Sequence, residues 1–269
     1  MAPQTYSKYL RHLNFFAQWL MDHHRPPHLG SVTVPLLIDV LDDIYAAGYC
    51  YSTPNHLRSA LALRYRMAVF PQPFPTNHPS FLAALAGYQR LAASRSRHRQ
   101  PLRQERYRML VSYAKAWFNG LFLLQLLAAL SLGYELLMRI SEARAVHPHH
   151  VSAGQDGMLV YLERSKTDPL ARGISLRITD VFTAQCLQQL LAVTKQGPLI
   201  TISTDTINEF ISSVARAERW KGFYSFHSLR HGKATDIWLR TGNIYAVMLA
   251  GRWKSRASAR WYLHIISPD

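Results

Sequence analysis

The 269-residue chain predicts a mainly α protein with a small antiparallel β-sheet, divided into a helical N-terminal part and an α+β C-terminal part. Three observations carry that expectation. Apolar residues recur at helical spacing through most of the chain. Two short segments, MLVYLER and GISLRIT, alternate like strands and flank a turn containing SKTDP. Between the halves, RLAASRSRHRQPLRQERYR (residues 90–108) holds seven arginines against one acid, Glu105.

The first ninety residues read as four helices with proline-rich punctuation. The first covers roughly 5–23, with Leu10, Leu13, Phe16 and Leu20 on an apolar stripe; the second runs from about Val34 to Ala47. The third opens at STPNHLRSAL, where Thr53 is a candidate N-cap and Pro54 a first-turn residue. The proline-rich PQPFPTNHP (71–79) is loop, and SFLAALAGYQRL follows as the fourth helix. Long helices are expected over about 106–145, then the two strands, then helical pattern at about 180–195, 205–219, 227–240, 243–250 and 255–265. The divisions expected are 1–92, a basic linker over 93–105, and 106–269.

Composition narrows the function classes. Lys and Arg total 31 against 16 Asp and Glu, a net charge of +15, which predicts a polyanionic partner, most simply double-stranded DNA. Cys50 and Cys186 lie far apart without metal-type spacing, which argues for a reducing compartment and against a disulfide framework. The N-terminus lacks the shape of a signal peptide. The apolar run AWFNGLFLLQLLAALSLG (116–133) is nearly long enough for a bilayer, which needs roughly 20 residues. Asn119 and Gln125 interrupt it, so it reads as a buried core helix, with no membrane partner expected.

FHSLRHG (226–232) raises the chemical question. On a helix, His227, Arg230 and His231 share one face. A zinc site of the His-Glu-x-x-His kind needs a glutamate where this chain has Ser228, and a guanidinium beside a dication is repulsive. The cluster His147-Pro-His149-His150 reads as a surface loop, so no metal is expected at either place. A phosphate site fits better, because arginine is permanently charged and forks onto phosphate oxygens while a histidine nearby moves a proton.

Other residues complete a set. LLMRISEA supplies Arg139 and Glu142, ERSKTDPLARG supplies Lys166 in the expected hairpin, and GRWKSRASARWYLH supplies Trp253 and Tyr262. Arg139, Lys166, His227, Arg230, Trp253 and Tyr262, in that order, resemble the catalytic set of the tyrosine recombinase (phage integrase) family. The gaps agree too, with 23 residues from Arg230 to Trp253 and nine more to Tyr262. The wording of STPNHLRSAL, SKTDPLARG and GRWKS is most similar to recombinases of eukaryotic mobile elements of the Crypton or DIRS-like type.

The resemblance implies a helical core-binding domain followed by a catalytic domain, and cleavage through a 3′-phosphotyrosyl intermediate at Tyr262 with a free 5′-hydroxyl. Arg139 and Arg230 would neutralise the non-bridging oxygens, Lys166 would protonate the leaving oxygen, and His227 would assist at the tyrosine. Trp253 would pack and donate through its indole N–H, with Glu142 orienting the group. Trp253 stands where histidine is commoner, and Leu137-Met138 precede Arg139 in place of Gly-Leu. The chemistry needs no cofactor. Four protomers would assemble on two DNA sites, although only seven residues follow Tyr262 where many members carry a further helix. The location implied is the nucleus for a eukaryotic element and the cytoplasm for a bacterial one. Arg58, Arg64, Arg97, Arg99 and Lys254 are the expected DNA contacts. Two other readings share part of this pattern: a catalytically silent DNA-binding module and a type IB topoisomerase.

Overall fold

The computed structural model describes residues 3–92, 99–154, 157–164 and 172–263, and the chain divides into two compact units, Met1–Ser96 and Arg97–Asp269. In the first unit, helices α1 (Pro3–Asp22), α2 (Val34–Ala46), α3 (Ser52–Met67) and α4 (Pro79–Leu91) enclose one core. Phe16, Leu20, Val40, Ile44, Leu61, Tyr65, Phe81 and Leu85 are buried there. Helix starts follow local chemistry. The Thr33 hydroxyl accepts from the Leu36 N–H and the His78 ring from the Ser80 N–H, each with a proline in the first turn. The Trp19 indole N–H donates to Asp43 at 2.8 Å, tying α1 to α2.

Two expectations shift here. Helix α3 begins one residue before Thr53, with Tyr51 at the cap, so Thr53 lies inside the first turn and its N–H donates to the Cys50 carbonyl. Pro54 remains in the turn where a missing N–H costs nothing. On α1, Phe16 and Leu20 are buried and Leu13 is half-buried, but Leu10 is 40% exposed, beside Tyr6, Tyr9 and Met67 at an open groove.

The second unit is built around α6 (Gly120–Glu135), whose residues 125–134 are all buried. The run that resembled a membrane span is therefore a core helix, and among the described residues no helix is long and apolar enough to cross a membrane. Its one central amide is satisfied, since Gln125 Oε1 accepts from the Thr201 N–H, the Thr201 hydroxyl and the Ile202 N–H. The long helices expected over 106–145 are α5 (Gln104–Trp117) and α6, followed by the single turn α7 (Ile140–Ala143). Gly120 with φ +58° makes the first break, and Leu137 with φ +48° the second.

A three-stranded antiparallel sheet follows, β1 (Val151–Gly154), β2 (Gly157–Leu162) and β3 (Ile174–Ile178), in the order β1-β2-β3. Val151 pairs with Val160, and Leu159 with Arg177. Strand β1 is the one the sequence hid, being four residues long behind a histidine-rich turn. Met158, Val160 and Leu162 alternate into the core. Helices α8 (Val181–Val193), α9 (Thr204–Ala217), α10 (Phe226–Thr241), α11 (Ile244–Gly251) and α12 (Arg256–Arg260) complete the unit. The last is shorter than the expected 255–265.

The C-terminal end of the expected linker is packed structure. Arg99 bridges to Phe223, the Leu102 N–H donates to the Ser228 carbonyl at 2.9 Å, and Leu102 is fully buried. Residues 99–102 thus brace the start of α10. Gly232 makes the approach possible: a Cβ there would sit 1.8 Å from the Leu102 carbonyl oxygen. Gly232→Ala is expected to destabilise the chain by about 2–4 kcal/mol, because backbone rather than a flexible side chain must move. Urea unfolding measures this, and a change within 0.5 kcal/mol, roughly the scatter for a neutral surface substitution, would refute the close packing.

Candidate active site

Helix α10 begins after Ser225, where the Phe226 N–H donates to the Asn208 side chain, and it carries FHSLRHG into the core in its first two turns. Arg230 is fully buried. Its guanidinium donates to the carbonyl oxygens of Leu137 and Gly251. Both acceptors lie at helix C-termini: Leu137 follows the end of α6, and Gly251 is the last residue of α11. Such ends present unpaired carbonyls and the negative end of the helix dipole, which suits a buried cation.

Two rings lie against that cation. The Trp253 ring centroid is 4.6 Å from the Arg230 guanidinium carbon and the Tyr262 ring centroid 5.4 Å. Gly251 allows this, since a Cβ there would overlap the Trp253 ring at 1.8 Å. Trp253 and Tyr262 are themselves in contact, with ring centroids 4.5 Å apart.

The Tyr262 hydroxyl lies 3.0 Å from His227 Nε2, within hydrogen-bond distance. Burial, followed by the charges of Arg230, Arg99 and Arg139, lowers the His227 pKa to about 4. The ring is thus neutral at physiological pH and able to accept a proton. His231, on the same helix face, is buried and stacks on Tyr262 with centroids 4.6 Å apart. It belongs to the walls of the site.

Arg139 caps α7, and Glu142 reaches back to it. Oε1 accepts from Arg139 Nη1 at 2.6 Å and Oε2 from the Arg139 N–H at 2.9 Å. A residue the sequence reading passed over joins them: Arg252 Nη2 donates to Glu142 Oε2 at 2.9 Å. Arg252 has left-handed backbone, φ +57°, a conformation that costs a non-glycine residue about 1–2 kcal/mol. The clue available in the sequence was an arginine directly after the glycine that ends an apolar helix. Burial alone would raise the Glu142 carboxyl. The Arg139 N–H and the charges of Arg252 and Arg139 outweigh it and hold the group below the usual carboxylate range. Burial, then Arg139 and Arg252, draws the Arg230 guanidinium down to about 10, still charged at neutral pH.

The structure thus brings five of the six sequence-predicted residues, Arg139, His227, Arg230, Trp253 and Tyr262, together with Glu142. Lys166 and Arg97 lie outside the described residues, as does the SKTDP turn. Arg99 donates to Ser225 at 3.2 Å at the margin of the site. Lys254 and Arg64 are exposed, whereas the Arg58 guanidinium is turned onto the Thr76 carbonyl and the Asn77 side chain.

His227 and His231 are engaged within the site. Arg230 lies between His227 and His231 on their helix face, and the His227 Nε2 is taken by Tyr262. His149, His150 and Glu163 place their donor atoms within 4.8 Å of one another. His150 Nδ1 accepts from the His147 N–H at 3.1 Å, and His150 Nε2 lies 3.2 Å from Glu163 Oε1.

The His227 shift has a consequence for stability. Its native pKa is below the unfolded value of 6.5, so the unfolded chain takes up the proton first. The contribution is fully present above pH 6.5 and is lost as pH falls towards 4. Between pH 7 and pH 5 the loss should be about 2 kcal/mol. Paired melts of wild type and His227→Asn should differ by that pH-dependent amount; parallel pH profiles would contradict a buried neutral His227.

No protein-family model matches the chain, and no curated protein does. Solved structures do. An integrase of the transposon Tn1549 in complex with transposon right-end DNA superposes with a TM-score of 0.70 at 11% identity, over 100% of this chain and 91% of that one. A lambda integrase dimer bound to a core site gives 0.67 at 16% identity, over 100% of this chain and 76% of that one. The XerH site-specific recombinase in a post-cleavage complex with its DNA substrate gives 0.66 at 13%, over 98% and 76%. At such identities the likeness establishes architecture. The chain has the fold of the site-specific recombinases and integrases that its sequence resembles.

Proposed function

We propose that the protein is a tyrosine recombinase that breaks and rejoins double-stranded DNA for the integration or excision of a mobile element. The observation that carries the reading is the Tyr262 hydroxyl 3.0 Å from a histidine held neutral, on a ring that also packs against the buried Arg230 guanidinium. A phenol has an ordinary pKa of about 10 and is a weak nucleophile at neutral pH. His227 Nε2 accepts the proton as the Tyr262 oxygen attacks phosphorus. The bond to the 5′ oxygen breaks, and a 3′-phosphotyrosyl ester forms. Arg139 and Arg230 neutralise the non-bridging oxygens as their charge grows. Lys166 returns a proton to the leaving 5′ oxygen. The ester bond is conserved in the phosphotyrosine, so the reverse attack by a 5′-hydroxyl reseals a strand without a cofactor.

The four-helix unit, residues 1–92 with the basic segment 93–105, serves as a DNA clamp, and four protomers act on two sites. The charge of +15 supports a polyanionic partner. A silent DNA-binding module would have no use for a hydroxyl aimed at a neutral histidine. A type IB topoisomerase shares the chemistry and differs in acting as a monomer.

The test uses a pool of nicked duplexes of randomised sequence, so that cleavage traps a covalent adduct visible on a denaturing gel. An adduct is expected with the wild type and none with Tyr262→Phe. Arg230→Ala should slow its formation roughly 10²–10³-fold, the usual cost of one transition-state donor. Absence of an adduct across the pool, with binding retained, would leave the binding module. Affinity should fall steeply with salt as several phosphates are neutralised, and a flat dependence would contradict the charge argument.

A further inference from the structure

Helix α11 ends at Gly251, and the chain must turn through left-handed backbone to bring Trp253 beneath Arg230. Glycine is the ordinary occupant of such a position. Here it is Arg252, with φ +57° and ψ +39° and a side chain only 8% exposed. That side chain crosses to the other half of the site. Nη1 donates to the Leu136 carbonyl at 2.9 Å, and Nη2 to the Leu137 carbonyl at 3.3 Å and to Glu142 Oε2 at 2.9 Å. The Leu137 carbonyl also receives Arg230, and Leu137 is itself left-handed. Arg252 thus joins the turn that delivers Trp253 and Tyr262 to the turn that delivers Arg139.

The electrostatics give this link a function. Glu142 takes Arg139 through Oε1 and through the backbone N–H on Oε2, and shares Oε2 with Arg252. A carboxylate divided between two guanidinia neutralises neither fully. Without Arg252, Glu142 would serve Arg139 alone and cancel more of the charge meant for phosphate. We propose that Arg252 is a positioning residue of the phosphoryl-transfer centre, which holds Glu142 back from Arg139 and keeps Arg139 charged towards the scissile phosphate. The inference rests on the recombinase reading above and adds to it a residue that acts through two others.

Arg252→Gly separates this role from that of a simple cap, because glycine relieves the left-handed strain while removing the guanidinium. With the nicked-duplex substrate that the wild type cleaves, three quantities are read: melting temperature, affinity for uncleaved duplex with Tyr262→Phe as background, and single-turnover adduct formation. Arg252→Gly is expected to melt lower, because buried hydrogen bonds and an ion pair are lost, yet to stay folded and bind uncleaved duplex at the assay temperature while adduct formation slows at least about tenfold, as expected for a lost electrostatic contribution at the transition state. Arg252→Lys should fall between the two, with the charge kept and the fork lost. The decisive variant is Arg252→Gly combined with Glu142→Gln, in which the amide still accepts a hydrogen bond but no longer cancels Arg139. It should recover part of the lost rate. Unchanged rate in Arg252→Gly would overturn the proposal. So would a parallel loss of melting temperature and rate with no recovery in the double variant. Absence of any adduct with the wild type would overturn the recombinase reading itself, a result distinct from both.

Discussion

The structure of the second unit turns on one buried charge. Arg230 has no exposure to solvent, and placing an ion there costs several kcal/mol even after the surroundings relax. Among the described residues no carboxylate accepts a hydrogen bond from it; its acceptors are the carbonyls of Leu137 and Gly251 at the ends of α6 and α11. Two helices therefore have to finish at one point, from opposite sides of the sequence, with their last carbonyls aimed inward. The left-handed backbone at Leu137 and Arg252, the absence of a Cβ at Gly251 and the ring of Trp253 all serve that convergence. A charge whose direct contacts are carbonyl dipoles and rings keeps its capacity to attract an anion, as a phosphate site requires.

The same convergence sets the protonation state of the site. His227 shares its helix with Arg230 and faces Arg99 and Arg139, so burial and cationic neighbours act together to keep it neutral. A histidine in such company is a base and not a second cation. Glu142 moderates the cluster without cancelling it, being shared by Arg139 and Arg252. The four-helix unit has its own core and its own polar ties, such as Trp19 to Asp43.

Helices with a strong apolar stripe were legible in the sequence, as α2, α4 and α9 show, because burial on one face dictates the period. Strand β1 was not, since four residues are too few to display alternation. The breaks within 106–145 depend on backbone at Gly120 and Leu137 that composition does not announce. Leu102 illustrates a different limit. A single leucine within an arginine-rich run is the residue that docks it, and the run's charge concealed it. In the site, five residues that order and spacing singled out do lie together. Arg252 was not singled out, because its contacts are with Glu142 and two backbone carbonyls.

The central claim is that Tyr262, and no other group, is the nucleophile of a phosphoryl-transfer centre organised by Arg230. The most direct measurement is mass spectrometry of a trypsin- and nuclease-treated covalent adduct. Cleavage after Arg260 releases residues 261–269, and the account predicts that this peptide carries the nucleotide remnant on Tyr262 through its phenolic oxygen. A remnant on any other tyrosine, serine or histidine would contradict it.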